Sequence, residues 1–257
     1  MDLTTLFGIF VGVVAIFIGN LLEGGHFSAL IQFTAFLIVF GGTLGATLVA
    51  NKLEDVQRGM ELVGRAFKKD SEQERINLAL QILDITKLIR SESVIALEQN
   101  LNRIKNNFMK RVFKYIVDGG DPKMIREVFE SEIEQNESKL NGGAKIWSDA
   151  GGYAPTIGII GAVLGLIHVM SNLSDTSELG KGIAVAFVAT VYGVGSANLI
   201  FLPLGNKIKS KVKDEVASQE MVLDAAEAIT KGANPIVISH RLQSYLSDEN
   251  KSKIGVG

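Results

Sequence analysis

Four stretches of this chain, Leu3–Leu22, Ala29–Ala50, Tyr153–Leu173 and Gly182–Leu204, contain no Asp, Glu, Lys or Arg. Each is close to the ~20 residues a helix needs to cross ~30 Å of hydrocarbon. Lipid offers no partner to backbone N–H and C=O groups, so separate apolar stretches of this length must satisfy them internally, as helices. The sequence predicts an all-α membrane protein with four transmembrane helices. Nearly all the charge falls in the two remaining stretches, 51–152 and 205–257. The formal net charge of −2 is therefore a sum over regions that meet different solvents.

The first apolar run opens MDLTTLFGIF with no basic residue ahead of it, so it reads as a retained helix and not a cleaved secretion signal. Cysteine is absent, which excludes disulfides and thiolate metal sites, and the three histidines are scattered. Neither a metal nor another cofactor is expected. No nucleic-acid motif is present.

Basic residues near helix ends stay on the cytoplasmic side of a membrane. The 51–152 stretch holds 17 Lys and Arg and the 205–257 stretch holds 8, against Lys181 alone elsewhere. This places both termini, the long loop and the tail in the cytoplasm. The expected organisation is helices 1 and 2 in 1–50, a cytoplasmic helical domain in 51–152, helices 3 and 4 in 153–204, and a cytoplasmic helical tail in 205–257. In the loop, Ser71 and Glu74 stand at capping-box spacing ahead of Ile76, Leu80, Leu83 and Ile85, which predicts an amphipathic helix over 71–90. Two glycines after Val117 mark a stop. Asp121-Pro122 and Asn234-Pro235 each read as a helix start. Lys207, Lys209, Lys211 and Lys213 follow the fourth span and fit membrane-surface anchors, each worth ~1 kcal/mol near anionic lipid.

The third span, with Gly158, Gly161, Ala162 and Gly165, and the fourth, with Ala186, Thr190, Gly193 and Ala197, carry strips of small residues. Such strips let helix backbones approach closely. Ordinary helix pairing explains them, and so does room for a partner's helix. Ion-moving proteins keep ionisable groups inside their spans, yet the four spans hold only His168, which reads as an interfacial, hydrogen-bonded residue. Ion movement along these helices would need a carboxylate from another polypeptide. Pro155 fits the first turn of the third helix, where proline costs little. Pro203 should kink the fourth near its end.

The third-span segment APTIGIIGAVLGLIHVMSNL, the fourth-span segment AVAFVATVYGVGSANLIFLPLGNKI and the loop segment RSESVIALE occur in order over nearly the whole chain. Together they resemble the flagellar stator subunits of the MotA/PomA family. The resemblance implies a homopentamer around two helices of a MotB-like partner whose membrane aspartate binds the ion, with ion flow driving rotation against the rotor protein FliG. It implies that Thr190 and Ala162 line the ion path, that Pro155 and Pro203 couple ion passage to movement, and that Arg90 and Glu98 engage the rotor. Sodium-driven members tend to carry threonine where this chain has Ala162, so protons are the expected ion. No covalent chemistry is implied, hence no enzyme. An ExbB/TolQ-type energiser is the nearest alternative; four spans and the Arg90/Glu98 spacing count against it. A secondary transporter is disfavoured by the lack of intramembrane charge. A pure membrane scaffold would leave Thr190 and the prolines unused.

Overall fold

The computed structural model describes residues 3–68, 72–92 and 94–255. Among them the chain is helical between its turns and forms no strand. The helices are α1 (Leu3–Leu22), α2 (Phe33–Phe36), α3 (Gly42–Ala50), α4 (Leu53–Ala66), α5 (Glu72–Glu92), α6 (Val94–Asn100), α7 (Asn107–Val117), α8 (Ile125–Ser171), α9 (Thr176–Ser196), α10 (Leu202–Thr230) and α11 (Pro235–Gln243). A π-helical turn, Leu37–Gly41, joins α2 to α3, and a second, Ala197–Phe201, joins α9 to α10. Four helical runs are long and apolar enough to cross a membrane, as the charge-free stretches require: Thr4–Leu22, Phe27–Ala50, Ile125–Ser171 and Ser177–Thr230.

Two of these runs are far longer than a bilayer is thick. α8 continues unbroken for 47 residues from charged sequence into apolar sequence. The composition changes at Gly152 because the solvent changes, and the backbone has no reason to stop there. Pro155 accordingly lies deep inside a helix, which corrects the expectation of a helix start. The other boundaries divide more simply. Asn106 accepts from the Met109 N–H at 2.9 Å to cap α7, and Asn234 accepts from the Ile236 N–H at 3.1 Å to cap α11 ahead of Pro235. Asp121 accepts from the Lys123 N–H at 2.9 Å, but regular helix begins only at Ile125. Ser71, the expected cap of α5, lies outside the described residues.

The chain forms two compact units, Met1–Lys69 with Lys139–Lys211, and Asp70–Ser138 with Val212–Gly257. The second unit is built on an apolar core in which Ile82, Leu97, Met109, Phe113, Met221, Leu223, Ile238 and Leu242 are almost fully buried. α5 buries Ile76, Ala79, Leu83 and Thr86 together with Leu78, Ile82 and Ile85. Its buried surface is therefore broader than one stripe, and Leu80, expected inside, faces solvent. Arg75 fixes the start of α5: it donates to the Asp214 carboxylate at 3.0 Å and to the Tyr245 carbonyl at 3.1 Å. Glu72 accepts from the Ser247 hydroxyl and from the Ser247 N–H. Those hydrogen bonds, with help from Asn250 and Arg75, hold its carboxyl below the usual range.

The first unit is held by small residues. A methyl group at Gly158 would lie 2.8 Å from the Ala189 carbonyl oxygen, and one at Gly193 would lie 2.5 Å from that of Ala154. Gly165 meets Gly182 and Ala186 in the same way. α8 and α9 thus touch backbone to backbone. α4 packs on α8 by the same device: a methyl at Gly59 would fall 2.6 Å from the Gly143 carbonyl oxygen, and Trp147 Nε1 donates to the Gly59 carbonyl at 2.9 Å.

Candidate functional site

The small-residue strips are used within the chain. Gly158, Gly161 and Gly165 face Gly182, Ala186, Ala189 and Gly193, so ordinary helix pairing accounts for these glycines. What the pair leaves outward is apolar and large. Ile159, Ile160, Val163, Leu164 and Ile167 of α8, with Phe187, Val191 and Val194 of α9, are exposed on the isolated chain. Thr190 is exposed too, and its hydroxyl donates to the Ala186 carbonyl at 3.2 Å. That bond occupies its proton and leaves the oxygen able to accept. Ala162 is half-buried on α8 and adds no polar atom.

Pro155 has no N–H to give to the Gly151 carbonyl, four residues earlier in α8. Gly151 is the point at which the helix meets α10: a methyl there would lie 2.6 Å from Leu202 Cδ2. Leu202 precedes Pro203. One turn further along, Gly205 lies against Ser148 and the Trp147 side chain. The weakened turn of α8 is therefore in contact with the proline-bearing turn of α10. The kink expected at Pro203 takes a particular form. Residues Ala197–Phe201 widen to a π-turn, in which the Leu202 N–H reaches the Ala197 carbonyl. The widened turn draws the carbonyls ahead of Pro203 away from its ring, which in a regular helix would collide with that of Leu199.

Aromatic residues tie this turn to the second span, and the sequence reading did not single them out. Phe40, in the first π-turn, lies edge-on to Phe201, in the second, at 6.4 Å, and 6.2 Å from Tyr192. Phe201 also lies 6.2 Å from Trp147. The second span does not run as an uninterrupted helix from Ala29: a 3₁₀ turn, Phe27–Leu30, gives way to extended backbone at Ile31 and Gln32 before α2 begins. The Tyr192 hydroxyl donates to the Leu30 carbonyl at 2.6 Å and receives the Gln32 N–H at 3.3 Å. A tyrosine in the middle of an apolar helix was the available signal, because a buried phenol seeks a partner. At the end of the same span, Asn51 donates to Asp149 at 2.9 Å, and Lys145 donates to the same carboxylate at 2.6 Å.

His168 ends α8 beside Glu178, with Nε2 3.1 Å from Oε2, and Glu178 also accepts from Lys181 at 2.7 Å. It is half exposed and hydrogen-bonded, as an interfacial histidine would be. No group of three or more metal-ligating side chains occurs among the described residues.

In the second unit, Arg90 lies in the last turn of α5 and Glu98 lies on α6. The structure puts them on two successive helices. Both are exposed, and neither makes an ion pair or a side-chain hydrogen bond among the described residues.

The profile of the MotA/TolQ/ExbB proton channel family matches residues 100–221, and that of the motility protein A N-terminal region matches residues 6–93. Motility protein A of Bacillus subtilis is 34% identical over 253 residues, 98% of this chain and 94% of that protein. The chain belongs to the motility protein A family. Chemotaxis protein PomA of Vibrio alginolyticus is 29% identical over 98% of both chains. Among solved structures, the MotAB of C. jejuni matches at a TM-score of 0.90 and 32% identity over 97% of both chains. The flagellar MotAB stator complex of Bacillus subtilis matches at 0.90 and 34% identity, over 99% of this chain and 100% of the other. The N-terminal motility profile sets this member of the motility protein A family apart from a chain matching only the broader proton channel profile.

Proposed function

We propose that this chain is the ion-conducting, torque-generating stator subunit of a bacterial flagellar motor. Agreement over the whole chain with a flagellar MotAB stator complex is the observation that carries the reading. The chain sits in the inner membrane with both termini, the 51–152 loop and the 205–257 tail in the cytoplasm, as the basic residues favour. Five copies surround two helices of a MotB-like partner.

The ionisable group of the path comes from that partner, because the four charge-free stretches of this chain offer only His168, which is committed to Glu178. The partner's helices lie against the apolar faces that the α8–α9 pair leaves open. Thr190 presents its hydroxyl there, and Ala162, lacking an oxygen, leaves too few ligands for a dehydrated sodium ion. Protons are the coupling ion. Protonation of the partner's aspartate removes a charge facing apolar helices, and its release restores it, so the ring steps relative to the core. The Gly151–Leu202 contact, flanked by Pro155 and Pro203, passes the step on. Arg90 and Glu98, which make no ion pair or side-chain hydrogen bond among the described residues, engage FliG, and electrostatic contacts favour orientation and rapid association. No substrate is chemically converted, so the activity is transport coupled to movement.

The test is deletion of the gene in a strain with no other stator set. Normal flagella that do not turn are expected. Cells that still swim would shift the assignment to an ExbB/TolQ-type energiser. For the ion, swimming speed at constant proton-motive force should be independent of external sodium; a steep sodium dependence would overturn the proton assignment.

A further inference from the structure

Residues two positions apart on a helix point ~200° apart. On α6, Leu97 is fully buried in the core of the second unit and Leu101 follows it. Ile95 is thereby turned outward, and it is 72% exposed, more than any other large apolar residue of that unit among the described residues. Asn100 closes the helix by donating to the Ala96 carbonyl at 2.9 Å. The helix is short but fixed from beneath, so it offers Ile95 at little ordering cost.

Ile95 and Glu98 are three residues apart and share a face of α6. Arg90 lies in the last turn of α5, the preceding helix. Among the described residues neither ion makes an ion pair or a side-chain hydrogen bond, and Ile95, between them in sequence, is exposed. A single exposed apolar residue is ordinary on a surface. An exposed apolar residue that shares a helix face with one charge and follows the opposite charge closely in sequence fits a binding hot spot, in which the rim orients and the centre is desolvated.

We propose that Ile95 is the apolar anchor of the rotor-docking surface, inserting into an apolar pocket on a rotor segment that presents an acid to Arg90 and a base to Glu98. The proposal rests on the stator reading above and adds the residue that holds the contact once charge has oriented it. The mixed signs select the occupant. An anionic membrane surface would meet Glu92 and Glu98 with like charge, whereas a protein segment of mixed charge meets each ion with its opposite.

The experiment compares Ile95→Ser, Ile95→Val and Arg90→Glu in the full-length subunit co-expressed with its MotB-like partner. Three quantities are read: swimming speed, the number of fluorescently tagged subunits at the motor, and the mass of the purified stator complex. Ile95→Ser should lower motor occupancy by about fivefold or more, the scale of losing one anchor residue, with complex mass unchanged, while Ile95→Val retains most of it. If Ile95→Ser docks and swims like the parent while Arg90→Glu does not, the anchor is wrong and the rotor site stands. If neither substitution affects speed or occupancy, the rotor site itself is misassigned and the anchor falls with it. If Ile95→Ser lowers the mass of the complex, the residue belongs to a contact between copies of the subunit, which also overturns the proposal.

Discussion

Tyr192 reaches across 162 residues of sequence to donate its hydroxyl hydrogen to the Leu30 carbonyl. The same oxygen accepts from Gln32, so one phenol serves a carbonyl and an N–H on the two sides of the point where the second span is interrupted. In a bilayer those groups have no water to turn to. Tyr192→Phe keeps the ring beside Phe40 and removes both bonds. It should destabilise the protein by about 1–3 kcal/mol, the cost of leaving buried polar groups unpaired. Thermal unfolding in detergent would register this as a lowered Tm; an unchanged Tm would show that the interruption is satisfied some other way.

Gly193→Ala and Gly195→Ala make a paired test of the α8–α9 contact. The first puts a methyl 2.5 Å from a backbone oxygen that cannot move independently; the second meets nothing within 4 Å. Overpacking of this kind costs about 1–3 kcal/mol. Membrane abundance and Tm should fall for Gly193→Ala and stay at the parental level for Gly195→Ala.

Arg90→Ala should change the unfolding free energy by no more than about 0.5 kcal/mol, the usual range for a surface residue without a partner. Its effect should appear only in swimming. A large loss of stability would mean that Arg90 supports the fold and would remove the reason for assigning it to the rotor.

The Glu72–Ser247 contact sets a pH dependence with a definite sign. Hydrogen bonds to Ser247 hold the folded carboxyl below its ordinary value. A depressed acid stabilises the fold above the unfolded pKa of ~4.3, and the contribution is lost as pH falls through the folded pKa. The Tm difference between the parent and Glu72→Gln should therefore be largest near neutrality and close as the solution is acidified below about pH 4. A difference that grew on acidification would contradict the assignment.

The four spans were legible because burial in lipid is written as missing charge. Helix ends were less so, for a reason visible in two glycine pairs. Gly119-Gly120 ends α7, with Gly119 at φ +79°. Gly142-Gly143 sits inside α8, where α4 packs on it and offsets the ~1 kcal/mol each glycine costs a helix. The dipeptide alone cannot distinguish these outcomes. Pro155 is ambiguous in the same way, since proline tolerated at a helix start and proline tolerated by a neighbouring helix look alike in sequence. Arg90 and Glu98 could be singled out only through the family resemblance of RSESVIALE, and their separation onto two helices not at all. Ile95 was invisible, because exposure of one isoleucine in VIAL depends on which neighbour the core takes.

The π-turn at Ala197–Phe201 carries one more residue than an α-helical turn would need. Everything beyond it is rotated by ~100° from where an unbroken α-helix would place it. The small-residue strip of α9 therefore cannot be extended by counting into α10, and the lysines at 207, 209, 211 and 213 occupy faces set by the turn as much as by their spacing. Removing one residue there would lengthen a regular helix and still be the more damaging edit: it would set the Pro203 ring against the carbonyl four residues before it and turn every later side chain of α10 away from its contacts.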